Sequence, residues 1–516
     1  MNDLLTLCPP SYRAGSEPRH EFQFQRYKAT MYRTKNDKDL AMKRICHECI
    51  GEQYLSNEIN AADDIDLCSY CGETAASTTV GILADRIETA FKDHFIRTSE
   101  APSEMEERWM ANKDSSYVWM RDGCPVIDVI ANEAQIPKAT ANDVLAILEG
   151  RHAGFEKEHM GEESEFASTS CYEARGADDR AWQAEWLAFA SSLKSEARFF
   201  SQTAATYLAE VFGAIDQDKT RGDRATVIVA GPGTEIEHLY RARVFQNDGQ
   251  LQEALCRPDL HLGPPPSKLA KAGRMNAQGI SAFYGATNST VALAEVRPPV
   301  GSKIAIARFL IARHLRLLDL TALEDVHVQG SIFDPSLKGQ LERSVFLQRL
   351  QSRMTRPVMP DDEAFDYLPT QAIADFLATM NDPRLDGIVY RSAQTKGGNN
   401  VVLFHHAAKV SELSLPDGTK TSANIGNESS DGWEDDYFVL DSYVTKTTSD
   451  EGASDNELRI MSRHPRVSPL WGADLRGATL AVDVECVAVH YVNSARIETT
   501  EHEVPRYQSE VRMRKY

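Results

Sequence analysis

Apolar side chains in the first half of the chain recur at helical spacing. Between Leu83 and Phe95 they return every four residues, which predicts an amphipathic helix. A second helix is predicted over Ala141–Leu148 with Thr140 as its N-cap, and a third over Asp179–Phe212, which Gly213 would end. The first half of the chain is therefore expected to be mainly α-helical.

The pattern changes at Ala225, where short β-branched and aromatic runs begin to alternate with short helical ones. Helices are predicted at Ser289–Val296 and Thr370–Met380. Strands are predicted at ATVIVAG, LYRARVF, SAFYGA, KIAIARFLI, RLLDL, GIVYRS and NVVLF. Such a mixture indicates an α+β domain.

The two ends of the chain differ from these halves. Residues 1–40 are polar without sustained periodicity. Residues from Pro416 to about Asn456 are rich in Asp, Ser, Gly and Thr, which predicts loop or disorder interrupted by a strand at DDYFVLDSYV. The later run TLAVDVECVAVHYV predicts a strand added to the preceding domain. The predicted segments are a polar N-terminal segment (1–40), a cysteine-rich segment (41–75), a helical domain (76–224), the α+β domain (225–415), a partly disordered acidic insert (416–465) and a strand-rich extension (466–516).

Four of the nine cysteines form two CxxC pairs. Cys46 and Cys49 make the first pair, and Cys68 and Cys71 make the second after a gap of 18 residues. A CxxC turn places two thiolates on one side of a metal ion, and two such turns complete the tetrahedral shell that Zn²⁺ prefers. Because a closed shell of four cysteines leaves no position for a substrate, a structural zinc ribbon is predicted.

The composition of the chain bears on its expected cellular location. The 516 residues are 42% hydrophobic and 26% charged, which is typical of globular domains. No run approaches the roughly 20 apolar residues that span a bilayer. The first residues lack the basic flank and apolar length of a signal peptide. A cytoplasmic protein without membrane contact is expected.

Charge argues against a general nucleic-acid partner. The net charge is −20, whereas phosphate backbones require cations. The charge is uneven, because the stretch from Ile236 to Val410 contains 20 Lys and Arg against 17 Asp and Glu and is thus +3. A locally basic segment suits a small anionic substrate, although acidic tails that keep the protein soluble would produce the same imbalance.

Four stretches of the α+β domain concentrate reactive side chains. They are LYRAR at 239–243, GRMNAQG at 273–279, FYGATNSTVALAEV at 283–296, and DGIVYRSA at 386–393 followed by GGNNVVLF at 397–404. Their order and content resemble the RES domain, a family named for its Arg, Glu and Ser. GRMN resembles the family's Gly-Arg-Trp/Phe-Asn motif, with Met275 in place of the aromatic residue. The resemblance covers about a third of the chain.

The resemblance implies an ADP-ribosyltransferase-like fold of the diphtheria-toxin type and an enzyme that degrades NAD⁺ by phosphorolysis or hydrolysis. Some members modify a protein, and many are toxins of toxin–antitoxin pairs. By motif match the family residues fall on Arg241, Tyr284, Glu295 and Ser392. The N-terminal half resembles a zinc-ribbon and helical module found with RES and HEPN proteins. The HEPN ribonuclease pattern, Arg and then His after four to six residues, is absent between Gly72 and Ala230.

The residue types agree with this chemistry. Cleaving the nicotinamide–ribose bond creates positive charge on the ribose and releases a neutral group, so no general acid is needed. Glu295 can stabilise that charge, and its apolar neighbours predict a partly buried carboxylate. Arg241 can bind phosphate oxygens through two donors. Tyr284 can stack on the nicotinamide or ribose, and Ser392 can donate a hydrogen bond to a phosphate or the carboxamide.

Further residues of these stretches are expected to help bind NAD⁺. Lys268, Lys271 and Arg274 can hold inorganic phosphate as a co-substrate, unless they form a solvated basic loop. The complete set of predicted ligand-binding residues is Tyr240, Arg274, Asn276, Lys268, Lys271 and Asn400.

Three hypotheses about function stay open at this point. The first is an NAD⁺-consuming enzyme whose zinc ribbon and helical module bind an antitoxin or regulatory protein. The second is an ADP-ribosyltransferase acting on a protein. The third is a zinc-ribbon interaction protein whose RES-like part is inactive, and the presence of all four family residues argues against it. A homo-oligomer is compatible with each.

Overall fold

The computed structural model describes residues 39–112, 114–153, 163–196, 198–395, 397–429, 432–443, 474, 476–496 and 499–508. These residues form two compact units. The first comprises the described residues up to Ala184 together with His327–Phe346, and the second comprises the described residues of Glu185–Val326 and those from Leu347 onward. Among the described residues, none of the helices combines the length and apolarity needed to cross a membrane.

The first unit combines two small sheets with a helical core. Its strands are β1 (Arg44–Cys46), β2 (Ile65–Leu67), β3 (Thr74–Thr79), β4 (Phe95–Arg97), β5 (Cys124–Pro125) and β6 (Cys171–Ala174), in the sheet orders β1-β3-β2 and β4-β6-β5. Its helices are α1 (Gln53–Ala62), α2 (Val80–His94), α3 (Glu104–Ala111), α4 (Val126–Glu133) and α5 (Lys138–His152). Helices α6 (Arg180–Ser195) and α12 (Leu337–Thr355) have residues in both units.

The predicted helices are present, with two corrections. The apolar stripe that starts at Leu83 is buried on α2 as predicted. The N-cap prediction for Thr140 was wrong, because α5 begins at Lys138 and Thr140 lies buried within its first turn. The single helix predicted over 179–212 is broken into α6 and α7 (Gln202–Phe212), because the Ser201 side chain accepts a hydrogen bond from the Ala204 N–H and starts a new helix.

The second unit contains an eight-stranded sheet. Its strands are β8 (Val227–Ala230), β9 (His238–Phe245), β10 (Phe283–Ala286), β11 (Lys303–Ile311), β12 (Leu315–Asp319), β14 (Gly387–Arg391), β15 (Asn399–Leu403) and β20 (Leu480–Tyr491). The order is β20-β11-β9-β10-β15-β14-β12-β8, with β12 and β14 parallel and every other pair antiparallel. All seven strands predicted between 225 and 404 are confirmed, as is the added strand near the C-terminus.

Helices and shorter strands complete this unit. The remaining helices are α8 (Asp248–Cys256), α9 (Pro258–His261), α10 (Ser289–Glu295), α11 (Leu320–Leu323), α13 (Glu363–Asp366) and α14 (Leu368–Thr379). The shorter strands are β7 (Lys219–Thr220), β16 (Lys420–Asn424), β17 (Asn427–Ser429), β18 (Gly432–Glu434) and β19 (Phe438–Ser442), and β13 (Val326–His327) has one residue in each unit. The strand predicted in DDYFVLDSYV corresponds to β19. The prediction of loop or disorder just before it was wrong in part, because β16, β17 and β18 lie there. The predictions for residues 1–38 and 444–473 lie outside the described residues.

The sheet opens between β9 and β10. Strand β9 pairs with β11 along eight residues, but it meets β10 only where Tyr240 lies opposite Ala286. The backbone groups of β9 beyond this pair therefore separate from those of β10. Helix α10 packs beside the opening through Val291 and Ala292, which share a small apolar cluster with Ala242 of β9. This opening positions the candidate site.

Candidate active site and cysteine cluster

A cavity of about 240 Å³ lies at the opening of the sheet. It includes five of the predicted residues, namely Tyr240, Arg241, Tyr284, Glu295 and Asn400. The rest of its wall consists of Ala242, Gly285, Ala286, Ala292, Val296 and Tyr390. Three short elements far apart in sequence (β9, the β10–α10 segment and the β14–β15 hairpin) thus supply one wall each.

Glu295 is the last residue of α10 and receives two hydrogen bonds on one oxygen. Its Oε1 accepts from Ser392 Oγ at 2.6 Å and from Asn400 Nδ2 at 2.8 Å. Ser392 directly follows β14 and Asn400 lies on β15, so the pairing of these strands brings both donors to the carboxylate. The prediction of a partly buried Glu295 was wrong: the residue is exposed, because α10 ends there, whereas both donors are buried. One oxygen is fixed while the side chain stays accessible.

Arg241 bridges the two strands that separate. Its Nη1 donates to the Tyr284 carbonyl oxygen at 2.9 Å, and its guanidinium lies 5.3 Å from the ring centre of Phe283. Burial, together with the positive charge of Arg243, lowers the pKa of Arg241 to about 10, so it stays charged at neutral pH. No carboxylate in the described part of the chain pairs with this guanidinium. A desolvated cation without a counter-ion suits an anionic ligand.

Tyr284 is held by the GRMN turn. Its hydroxyl donates to Asn276 Oδ1 at 2.7 Å and accepts from the Met275 N–H at 3.0 Å. Burial raises the pKa of Tyr284 to about 12, so the phenol is neutral under ordinary conditions. With the hydroxyl occupied, the ring is the part of Tyr284 that remains to contact a ligand.

Asn276 fixes the turn itself. Its buried Nδ2 donates to the carbonyl oxygens of Lys271 and Ile280, each at 2.9 Å, and to that of Ala277 at 3.2 Å. Asn276 is not part of the cavity wall. These contacts make it a residue that positions Tyr284 rather than one directed at a ligand.

The three cations predicted to hold phosphate lie outside the cavity wall. Arg274 donates from Nη1 to the Met354 carbonyl oxygen at 3.0 Å, and its guanidinium lies 5.1 Å from the ring centre of Tyr367. Lys268 and Lys271 are exposed. The structure therefore brings together the residues predicted around Glu295 but does not gather these cations with them.

Tyr390 is a further residue of this cavity that was not predicted from the sequence. It lines the cavity, and burial raises the pKa of its phenol. Its hydroxyl makes no hydrogen bond to any residue that the structure describes. Strand alternation offered a signal, since Tyr390 precedes Ser392 by two residues and two such positions share one face of a strand.

The four paired cysteines of the first unit gather at one point. All four sulfurs lie within 4.8 Å of one another, with Cys46 Sγ 3.6 Å from Cys71 Sγ and Cys68 Sγ 3.9 Å from Cys49 Sγ. A tetrahedral ion with metal–sulfur bonds of about 2.3 Å requires sulfurs about 3.8 Å apart. These thiols can therefore hold a metal ion.

One comparison with known proteins supports the predicted family resemblance. Residues 239–421 match the family model described as the RES domain. The predicted resemblance is thereby confirmed for this segment, which contains every residue of the cavity wall. No curated protein and no solved structure matches the chain. An ADP-ribosyltransferase-like fold therefore stays a prediction, while the chain is a mixed α/β protein with a RES domain and a cysteine cluster.

Proposed function

We propose that the RES domain is an NAD⁺-consuming enzyme that cleaves the bond between nicotinamide and ribose. The observation that carries this proposal is the pairing of opposite charges in one cavity wall. Glu295 presents a carboxylate whose orientation is set by Ser392 and Asn400, and Arg241 presents a cation without a counter-ion. NAD⁺ has the matching charges, a cationic nicotinamide ribose and an anionic pyrophosphate.

In the proposed reaction the carboxylate of Glu295 stabilises the positive charge that develops on the ribose. Hydrogen bonds to Oε1 fix the carboxylate before the reaction, so little reorganisation is needed when charge appears. The leaving nicotinamide is neutral and needs no proton. The rings of Tyr284 and Tyr390 provide flat apolar surface for the nicotinamide or ribose.

The cavity volume supports a proposal about which part of NAD⁺ would be enclosed. At about 240 Å³ it is smaller than the roughly 300–1,000 Å³ typical of sites for drug-sized ligands. We propose that it encloses the nicotinamide riboside end and that the adenosine end lies on the open side. Zn²⁺ in the cysteine cluster has a structural role in this proposal, and the first unit serves to bind a regulatory protein such as an antitoxin.

Product analysis tests the proposal. Purified protein is incubated with NAD⁺ with and without inorganic phosphate, beside Glu295→Gln and the exposed control Glu253→Gln. We expect wild type and Glu253→Gln to release nicotinamide and Glu295→Gln to be inactive but folded. The product ADP-ribose 1″-phosphate would identify phosphorolysis, and the product ADP-ribose would identify hydrolysis. Transfer of labelled ADP-ribose to a protein would identify ADP-ribosylation. Intact NAD⁺ in every wild-type reaction, or full activity of Glu295→Gln, would refute the proposal.

A further inference from the structure

Three polar side chains form a row across neighbouring strands of the large sheet. In the register of β9, β11 and β20, Arg308 lies directly opposite Tyr240 on one side and directly opposite Asp483 on the other. Directly opposite residues of antiparallel strands point to the same face and contact each other. The row therefore leads from the cavity wall, through β11, to the strand at the edge of the sheet.

The contacts in this row are specific. Arg308 donates from Nε and Nη2 to Asp483 Oδ2 at 3.0 and 2.5 Å. The Asp483 side chain is 16% exposed, so this pair is shielded more than a surface ion pair. The hydrogen bonds to Asp483 are the main reason that the pKa of Arg308 is raised, and the neighbouring Tyr240 phenol raises it slightly further. Arg308 thus binds a carboxylate on one neighbouring strand and lies opposite a residue of the cavity wall on the other.

A bulge in β20 orients the carboxylate. Ile306 lies opposite Ala488 and Arg308 lies opposite Asp483, so two steps along β11 correspond to five steps along β20. Within the bulge the Glu485 N–H donates to Asp483 Oδ1 at 3.2 Å, which leaves Oδ2 for Arg308. Bulges redirect side chains and are common beside active sites. The bulge in β20 therefore places the carboxylate of Asp483 within hydrogen-bonding distance of the Arg308 guanidinium.

Tyr240 is the residue of the row that reaches the cavity. Its ring packs edge-on against His238, with the ring centres 5.3 Å apart and the planes at 83°. We infer that Arg308 and Asp483 are positioning residues that fix the Tyr240 side chain for ligand binding. This inference rests on the proposed function for the role of the ligand. Asp483 lies beyond residue 421, so the C-terminal strand completes a site that the RES match alone does not contain.

The physical reason lies in the geometry of guanidinium. Its donors are coplanar, so fixing two of them on a carboxylate fixes the direction of the others. Without Asp483 the flexible Arg308 side chain can turn away, and Tyr240 then loses its ordered neighbour on β11. Tyr240 would then sample several rotamers, and binding NAD⁺ would have to select one of them.

Steady-state kinetics test this coupling. We expect Asp483→Asn to raise the KM for NAD⁺ by roughly fivefold with little change in kcat, as expected for loss of one pairwise interaction. In the Tyr240→Phe background, which lacks the phenol oxygen, Asp483→Asn should have no further effect. The control is Asp248→Asn, which removes the 2.8 Å pair with Lys303 on the same strand β11 and should leave KM unchanged. Additive effects of the first two substitutions would overturn the inference.

A spectroscopic readout separates failure of this inference from failure of the proposed function. Protein labelled with 3-fluorotyrosine gives a fluorine resonance for each tyrosine. The resonance of Tyr240 is assigned as the one that is missing from the spectrum of Tyr240→Phe. We expect Asp483→Asn to shift or broaden this resonance and Asp248→Asn to leave it in place, whether or not NAD⁺ is consumed. If wild type does not turn over NAD⁺ but Asp483→Asn still shifts the Tyr240 resonance, only the proposed function is refuted. An unchanged resonance in Asp483→Asn would refute the positioning role.

Discussion

The Ser392 hydroxyl donates to Glu295 Oε1 at 2.6 Å across a sequence separation of 97 residues. The bond connects the C-terminal end of α10 to the end of β14. Ser392 Oγ also accepts a hydrogen bond from the Gln394 N–H at 3.1 Å. The one hydroxyl hydrogen of Ser392 is donated to the carboxylate of Glu295. In this structure Ser392 therefore orients the carboxylate of Glu295.

Removing this donor should impair catalysis rather than folding. We expect Ser392→Ala to lower kcat/KM for NAD⁺ roughly 10- to 100-fold, because a hydrogen bond to a charged group contributes about 1.5–3 kcal/mol. Ser302→Ala is the matched control, since the buried Ser302 hydroxyl donates to the Pro299 carbonyl at 2.7 Å, away from the cavity. Ser392→Thr should recover part of the rate. Equal rates for Ser392→Ala and Ser302→Ala would contradict the assigned role.

Much of this site could be predicted from the sequence, because each of its main residues lies in a recognisable motif. The β-branched and aromatic runs predicted the strands that contribute Arg241 and Tyr284, and the helix ending in Glu295 was placed within one residue. The exposure of Glu295 could not be predicted in this way. Apolar neighbours on a helix indicate its buried face, but a residue at the helix end has no following turn to cover it.

Other features depend on tertiary contacts that leave no local pattern. An asparagine in a loop does not reveal which carbonyl oxygens its amide will contact, so Asn276 looked like a ligand-binding residue. The contribution of Asp483 depends on strand register and on a bulge, and a shift of one residue would turn its side chain to the other face. Helix α12 was missed because charged and amide side chains interrupt its apolar positions.

The GRMN turn should depend on the amide of Asn276. Asn276→Asp would place a carboxylate oxygen against three carbonyl oxygens, and we expect it to lower the free energy of unfolding by about 2–4 kcal/mol. Asn288→Asp is the control, because Asn288 caps α10 only through Oδ1, which aspartate retains. Urea denaturation followed by circular dichroism measures both. A difference between the two variants below about 0.5 kcal/mol would argue against the role of the amide.

The cysteine cluster should contain about one zinc ion per chain. Elemental analysis of wild type and Cys68→Ser tests this, with Cys256→Ser as a control because Cys256 is a free thiol outside the cluster. Loss of metal should also lower the melting temperature of the first unit, since Ile45 and Ile50 next to the ligands belong to its core. A wild type purified without metal, or a Cys68→Ser variant with unchanged metal content, would exclude the predicted site.

Asp386, which precedes β14, should make the stability of the second unit depend on acidic pH. Burial disfavours its charged form, but hydrogen bonds from His406, Arg313 and the Arg316 N–H outweigh burial and lower its pKa from 3.8 to about 2. A carboxyl whose pKa is lower in the folded state stabilises the fold above its unfolded pKa and loses that contribution as pH falls through the folded value.

The contribution of Asp386 at neutral pH should therefore be about 2 kcal/mol, and it should disappear between about pH 4 and pH 2. We expect Asp386→Asn to unfold at lower urea concentration than wild type at pH 7 and to converge with it as the pH approaches 2. Asp223→Asn, which removes an exposed partner of Lys219, should follow wild type throughout. A deficit of Asp386→Asn that stays constant over this range would show that the loss arises from packing rather than from the charge of the carboxylate.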